Sequence, residues 1–266
     1  MKDNYTFRAI PRSRIATFDI FSIGLLKHHI SALLEFDVTE SRSMLRDLRR
    51  KGLQISFNAW IIKVISKILQ AHPEASAYLY NKKKLICFND INVAILVEKT
   101  VNGKKVPIPV VLEQTNQKTA LEIANEIEAA KNKKLSKSEV VIHRRTDFAE
   151  HLYYYLPGFL RRAVWKYMLR NPEIAYRKMG NVAVTSIGMM GKVNGWFIQK
   201  SVHPVSFGIG SVLKKAVVCD GEIKIREILN MTILVDHDVI DGAPMVRLLN
   251  DLTKSLESGE FLNNPD

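Results

Sequence analysis

Hydrophobic positions change their period several times along this chain, and each change marks an element. "SFNAWIIKVISKILQAHP" repeats apolar residues at intervals of three and four, which predicts a helix capped by Ser56 and stopped by Pro73. "ESRSMLRDLRRKG" predicts a more polar helix, opened by Asp37 and Thr39 and closed by Gly52. A short helix and the strand "ISALLEFDVT" precede it. "INVAILVEKTV" and "KKVPIPVVLEQ" read as strands joined at Asn102-Gly103, a hairpin signal, and "TALEIANEIEAAKNKK" as another helix. From Asn181 the pattern turns strand-rich through "NVAVTSIG", "VSFGIGSVL", "KAVVCDGEIKIREIL" with its Asp220-Gly221 turn, and "MTILVDHDV". The last helix follows Gly242, with Met245, Leu248, Leu249, Leu252 and Leu256 on one face.

No linker, internal repeat or low-complexity tract divides the chain, so residues 1–266 read as a single mixed α/β domain. Within it, a basic aromatic helical segment at about 151–178 stands out, "YYYLPGFLRRAVWKYMLRNP". After Gly158, residues Phe159, Leu160, Ala163, Val164, Tyr167 and Met168 share one helical face, with Arg161, Arg162, Lys166 and Arg170 off it. That face is expected to pack on its own domain; a lid over an acyl site and peripheral membrane contact are the alternatives.

Hydrophobic residues make up 47% and charged residues 25%, which is enough apolar material for a packed core. The two cysteines, Cys87 and Cys219, lie far apart in strand-like runs and read as core residues. They argue against a zinc site or disulfide framework and fit a reducing compartment. The longest apolar runs are short or interrupted by Lys or Asp, and no signal-peptide pattern opens the chain, so a cytoplasmic protein is expected. A formal net charge of +12 favours anionic partners. The cations are scattered over Arg42–Lys51, Lys131–Lys137 and Arg161–Lys178, with no nucleic-acid module beside them. Most are read as solvated faces and a few as serving a phosphorylated ligand; neither nucleic acid nor a membrane is the expected partner.

The chemistry concentrates in "VDHDVIDGAP", where His237 stands among Asp236, Asp238 and Asp241. A base, a metal ligand and a hydrogen-bonded core histidine are the three readings. Alternation along a strand sends Asp236 and Asp238 away from His237, which argues against a metal site. His237 falls where a buried-type strand ends, and Asp241 is placed to cap the helix after it.

"DHDVIDGAP" before an amphipathic helix, with "VAVTSIGMMG" about fifty residues earlier, resembles the catalytic domain of the dihydrolipoamide acyltransferases of 2-oxo acid dehydrogenase complexes. "PRSRIA", "FDVTESRSMLRDL", "FNAWIIKVISKILQAHPEASAYL" and "KKVPIPVV" extend the resemblance in order, from Pro11 to Leu262. It implies a two-layer sandwich of a mixed β-sheet with helices, like chloramphenicol acetyltransferase, in a stand-alone form without lipoyl or subunit-binding domains. It also implies acyl transfer between CoA, as acyl-CoA cosubstrate, and a thiol resembling dihydrolipoamide or a small hydroxyl or amine acceptor. A lipoyl group on another protein is one such acceptor, and no lipoyl attachment site is expected on this chain.

By the same resemblance, His237 is the general base, and imidazole suits that task because it changes charge near neutral pH. A hydroxyl stabilises the oxyanion, at Thr185 by ungapped alignment or at Ser186 beside it. Asp241 would make a structural ion pair with Arg12, or with Arg14, and Gly242 would permit the turn. His237 of one subunit would face Thr185 of its neighbour in a homotrimer, and His29 would lie near the acceptor channel. The resemblance assigns no CoA-binding residue. Two departures stand out, Thr185 in place of the family's serine and Asp238 where arginine is usual. The first keeps a non-catalytic trimeric scaffold as the alternative reading.

Overall fold

The computed structural model describes residues 5–10, 13–101, 104–133, 153–186 and 191–262. In chain order the elements are α1 (Ser13–Gly24), β1 (His29–Asp37), α2 (Thr39–Arg50), α3 (Phe57–Ala71), a 3-10 turn (Pro73–Ser76), β2 (Tyr78–Tyr80), β3 (Lys84–Ile86), β4 (Val93–Val101) and β5 (Lys104–Leu112). After them come α4 (Ala120–Asn132), α5 (Gly158–Arg170), α6 (Pro172–Met179), β6 (Val182–Ser186), β7 (Val205–Cys219), β8 (Glu222–Asp236) and α7 (Gly242–Ser258).

Six strands form one mixed sheet in the order β1-β8-β7-β6-β4-β5, and β2 and β3 form a separate hairpin. Strands β4, β6 and β7 run parallel, while the pairs β1–β8, β7–β8 and β4–β5 are antiparallel. Alternation assigns the core face: Val93, Ile95 and Val97, then Val182 and Val184, then Val205, Phe207 and Ile209, then Met231, Ile233 and Val235 all enter one cluster. Helices α3, α4 and α7 close that cluster from above through Trp60, Ile123 and Leu252. Helix α3 is apolar nearly all round, as a core helix must be. Its one buried cation, Lys63, donates to the carbonyls of Asn116 and Lys118, and burial pushes it down to about 8.

Local signals held where geometry demanded them. Ser56 accepts from the Ala59 amide, Thr119 and Glu122 form a full capping box, and Gly52 takes a positive φ behind α2. Asp220-Gly221 makes the β7–β8 turn with both residues at positive φ. Val101 pairs with Lys104, so the β4–β5 hairpin forms where expected, although Asn102 and Gly103 themselves lie outside the described residues. The runs "VSFGIGSVL" and "KAVVC" merge into one 15-residue strand, β7, which absorbs a register shift between Ile209 and Val212.

Two expectations need correction, and one element was not expected. The face of α5 expected to pack inward instead lies largely exposed, and the inner side is formed by Arg161, Trp165, Met168 and Leu169. Cys87 is exposed and Cys219 only partly covered, so neither belongs to the core. Hairpin β2–β3 had no counterpart in the sequence pattern, because three-residue strands are too short to show a period.

Gly180 ends α6 at φ 73° and ψ −174°, a region that only glycine enters readily. A Cβ there would lie 2.3 Å from the Asn92 carbonyl oxygen. We expect Gly180→Ala to lower unfolding stability by at least about 2 kcal/mol in urea titration. An unchanged midpoint would show that β6 does not depend on this close approach.

Candidate active site

Strand β8 ends at Asp236, and His237 begins the turn that leads into α7. The register between β1 and β8 pairs His29 with Asp236, so Lys27 and His28 come to rest beside this turn. The three acidic neighbours then separate by partner. Asp236 is fully buried and receives Lys27 Nζ at 2.5 Å. Asp238 meets His28 Nδ1 at 2.9 Å, and this contact raises the His28 imidazole above its ordinary value. Neither carboxylate is paired with the His237 ring. The His237 amide donates to the His28 carbonyl at 3.0 Å, which fixes the backbone, while its side chain is exposed.

Lys27 is the neighbour of this turn that sequence reasoning missed. Its signal was the run Lys27-His28-His29 directly before a strand, but only the antiparallel register identifies Asp236 as its partner. Breaking such a buried pair from one side leaves an uncompensated charge beneath the histidine.

Behind the turn lies a second layer. His29 Nε2 donates to the His203 carbonyl, and His203 bonds to Met179 O through Nε2 and to Ser201 Oγ through Nδ1. Those partners assign the proton to Nε2 of His203. Burial lowers His29, and burial pushes His203 down to about 4, so His203 folds as a neutral ring. Between 6.5 and about 4 the unfolded chain therefore holds this proton and the folded chain does not. Stability is lost as pH falls through that window, by an amount on the order of 1–3 kcal/mol. Denaturant titrations across the window should show a shallower pH slope for His203→Gln than for wild type; identical slopes would remove His203 as the cause.

Thr185 and Ser186 sit at the end of β6 and divide between the two faces of the sheet. Ser186 lines a cavity of about 480 Å³ with Arg42, Phe57, Lys192, Lys214 and Glu227. Arg42 reaches both Glu227, at 3.2 Å, and the Phe57 ring, at 5.8 Å. Thr185 falls on the opposite face, level with Gly208 on β7 and Thr232 on β8. Helices α3, α4 and α7 pack on the other side, and this face carries exposed Leu33 and Leu96, while Trp196 and Gln199 cross part of it. Beneath them Asn230 Oδ1 and Thr232 Oγ1 are buried without a hydrogen-bond partner among the described residues.

One chain does not bring Thr185 and His237 together. Thr185 is level with Thr232 two strands away, and His237 lies five residues beyond Thr232. Strand rise puts them about 17 Å apart along the sheet, and strand spacing adds about 10 Å across it.

Asp241 occupies the N-cap position of α7 with extended backbone, yet its side chain accepts no capping bond, contrary to expectation. Arg12 lies outside the described residues, and Arg14 is exposed without contacting Asp241, so the expected ion pair is not formed among the described residues. Gly242 opens α7 at a φ that any residue could adopt and in open space, so no tight approach requires a glycine there. His72 caps α3 and pairs with Asp251 at 2.9 Å; His143 and His151 lie outside the described residues. No group of three His, Cys, Asp or Glu side chains among the described residues is placed to hold a metal ion.

The family model for the acyltransferase catalytic domain of 2-oxoacid dehydrogenases matches residues 27–141 and 171–263. The chain belongs to this family. Among curated acyltransferase relatives, the dihydrolipoyllysine-residue acetyltransferase component of the Rickettsia conorii pyruvate dehydrogenase complex is 26% identical over 86% of this chain and 48% of its own length. The chain thus spans about half the length of the curated relatives it matches. In fold it is similar to a probable dihydrolipoamide acetyltransferase from Listeria monocytogenes, with a TM-score of 0.68 at 19% identity, covering 96% of this chain and 95% of that one. Azotobacter vinelandii dihydrolipoamide acetyltransferase gives a TM-score of 0.66 at 16% identity, over 97% and 94% of the two chains. A serine, a histidine and an asparagine of that protein have been investigated for their role in its catalytic mechanism. Chloramphenicol acetyltransferase shares the fold more distantly, with a TM-score of 0.50 at 13% identity over 97% and 99%.

Proposed function

We propose that this acyltransferase-family chain moves an acyl group between CoA and a thiol or a small hydroxyl or amine acceptor, with His237 as the base. One observation carries the reading. His237 is held by its backbone and left with a free, exposed ring, while Lys27 and His28 take the carboxylates on either side. The serine, histidine and asparagine of the Azotobacter vinelandii enzyme are spaced along its chain as Thr185, His237 and Asp241 are spaced here.

The step follows from these groups. His237 takes the proton of the attacking thiol, and the sulfur adds to the carbonyl carbon of the acyl thioester. The Thr185 hydroxyl donates to the resulting oxyanion. The carbon–sulfur bond to the departing thiol then breaks, and the imidazolium returns the proton to that sulfur. Atoms and charge balance without a metal or redox partner.

Because Thr185 and His237 are far apart in one chain, the complete site takes one residue from each of two subunits, and a homotrimer supplies three such sites. Exposed Leu33 and Leu96 on the face of Thr185 fit burial against a neighbour. Lys192 and Lys214 line the cavity beside Ser186, one residue from Thr185, and offer positive charge to the phosphates of CoA. Acceptors are a dihydrolipoyl group on another protein or a small thiol, hydroxyl or amine.

Thiol release from acetyl-CoA and longer acyl-CoAs, across acceptors that include dihydrolipoamide, tests the reading. Turnover with at least one pair is expected. CoA binding without turnover on any acceptor would leave a trimeric scaffold, the reading that threonine at position 185 favours.

A further inference from the structure

The family match leaves out residues 1–26 and 142–170, and the structure packs the two helices it describes there, α1 and α5, against each other. A polar knot joins them. Asp19 is buried and accepts from Arg161 Nε at 2.6 Å and from Tyr153 Oη at 2.7 Å, and Trp165 Nε1 donates to the same tyrosine oxygen at 2.9 Å. The knot turns Arg161 and Trp165 inward and thereby turns the apolar stripe of α5 outward.

The outward surface has a definite composition. Helix α5 buries no residue completely, and Phe159 and Tyr167 are 64% and 63% exposed, with Leu160 and Val164 between them. Phe18 and Phe21 on α1, and Leu25 just after it, recur at helical spacing and are likewise exposed. Arg162, Lys166 and Arg170 form a row beside the α5 stripe, and Arg14 is exposed on α1. The only carboxylate on either helix is Asp19, which the knot consumes. Apart from Thr17 and Ser22, the exposed side chains of both helices are thus aromatic, aliphatic and cationic, without a single acid.

We propose that this α1–α5 face docks on an anionic lipid surface, lying in the headgroup region of the bilayer. An apolar helical stripe bordered by Lys and Arg binds in this way, through apolar burial and attraction to acidic lipid together. No helix among the described residues is long and apolar enough to cross a membrane, so the contact is peripheral. The same faces of two copies would set four cations against four cations, which disfavours symmetric self-association. The proposal goes beyond acyl transfer, and vesicle binding is measured without it.

Cosedimentation of the full chain with phosphatidylcholine vesicles, with and without phosphatidylserine, tests the proposal. Binding is expected only where phosphatidylserine is present, and it should weaken as salt is added. Replacing Arg162, Lys166 and Arg170 together with Gln should weaken it roughly a hundredfold. Phe159→Glu with Tyr167→Glu should abolish it, and unchanged thermal unfolding of both variants would show that the fold is intact. Failure to bind either vesicle, equal binding to both, or unaltered binding by the Phe159 and Tyr167 variant would each overturn the proposal. So would a fall in solution mass of that variant together with no vesicle binding by wild type, which would assign the face to a second copy.

Discussion

His237→Ala is expected to lower acyl transfer about 10²- to 10⁴-fold, the range for loss of a positioned general base. Neither adjacent carboxylate is free to substitute. Asp236 is buried against Lys27, and Asp238 is engaged by His28, so neither offers a lone pair to a thiol at the position of the imidazole. The substitution removes an exposed ring and keeps the backbone bond to His28, so unfolding stability should change by no more than about 0.5 kcal/mol. Thiol-release kinetics and a denaturant titration on the same preparation separate the two effects. A variant as active as wild type would end the catalytic assignment, and a variant that unfolds would move His237 from chemistry to structure.

The histidine was legible in sequence because its surroundings are local. A buried-type strand, a histidine at its end and a helix start five residues later are all readable from period and turn residues. Alternation also foretold that Asp236 would turn away from His237, and the structure adds that Lys27 receives it. What remained hidden depends on distant pairing. Nothing in the run "LKHH" reveals that β1 will lie antiparallel to β8 and deliver Lys27 and His28 to the turn. Helix α5 shows the opposite failure. Its apolar stripe is genuine, but a buried carboxylate on α1 draws Arg161 and Tyr153 inward and rotates that stripe toward solvent. Hydrophobic period reports that a helix has two faces; it does not report which face the rest of the chain will claim.

The Asp37-Val38-Thr39 segment makes the same point for a motif that the resemblance identified without explaining. Thr39 donates to Asp37 through both its amide and its hydroxyl, and Arg226 reaches the other carboxylate oxygen at 2.6 Å. Burial would raise the Asp37 carboxyl, but these hydrogen bonds outweigh it and hold the group below its usual value. The motif is a clasp between the start of α2 and the β7–β8 arm, and that is structure rather than chemistry.

Thr185→Ala should lower kcat by about 10²- to 10³-fold with a smaller change in KM, because an oxyanion donor acts in the transition state. The more decisive experiment uses the distance between Thr185 and His237. If each site takes its histidine from one subunit and its hydroxyl from the next, refolding equal amounts of Thr185→Ala and His237→Ala chains together rebuilds intact sites. Random assortment around a cyclic trimer places an intact histidine against an intact threonine at about one interface in four. The mixture should therefore recover about a quarter of wild-type activity, far above either parent. A site confined to one chain predicts no recovery, because every chain in the mixture lacks one of its two groups. An inactive Thr185→Ala chain that recovers in the mixture, beside a Ser186→Ala chain that keeps its own activity, would assign the hydroxyl to the face of Gly208 and Thr232. The reverse result would move the oxyanion to the cavity that Ser186 shares with Arg42 and Lys214.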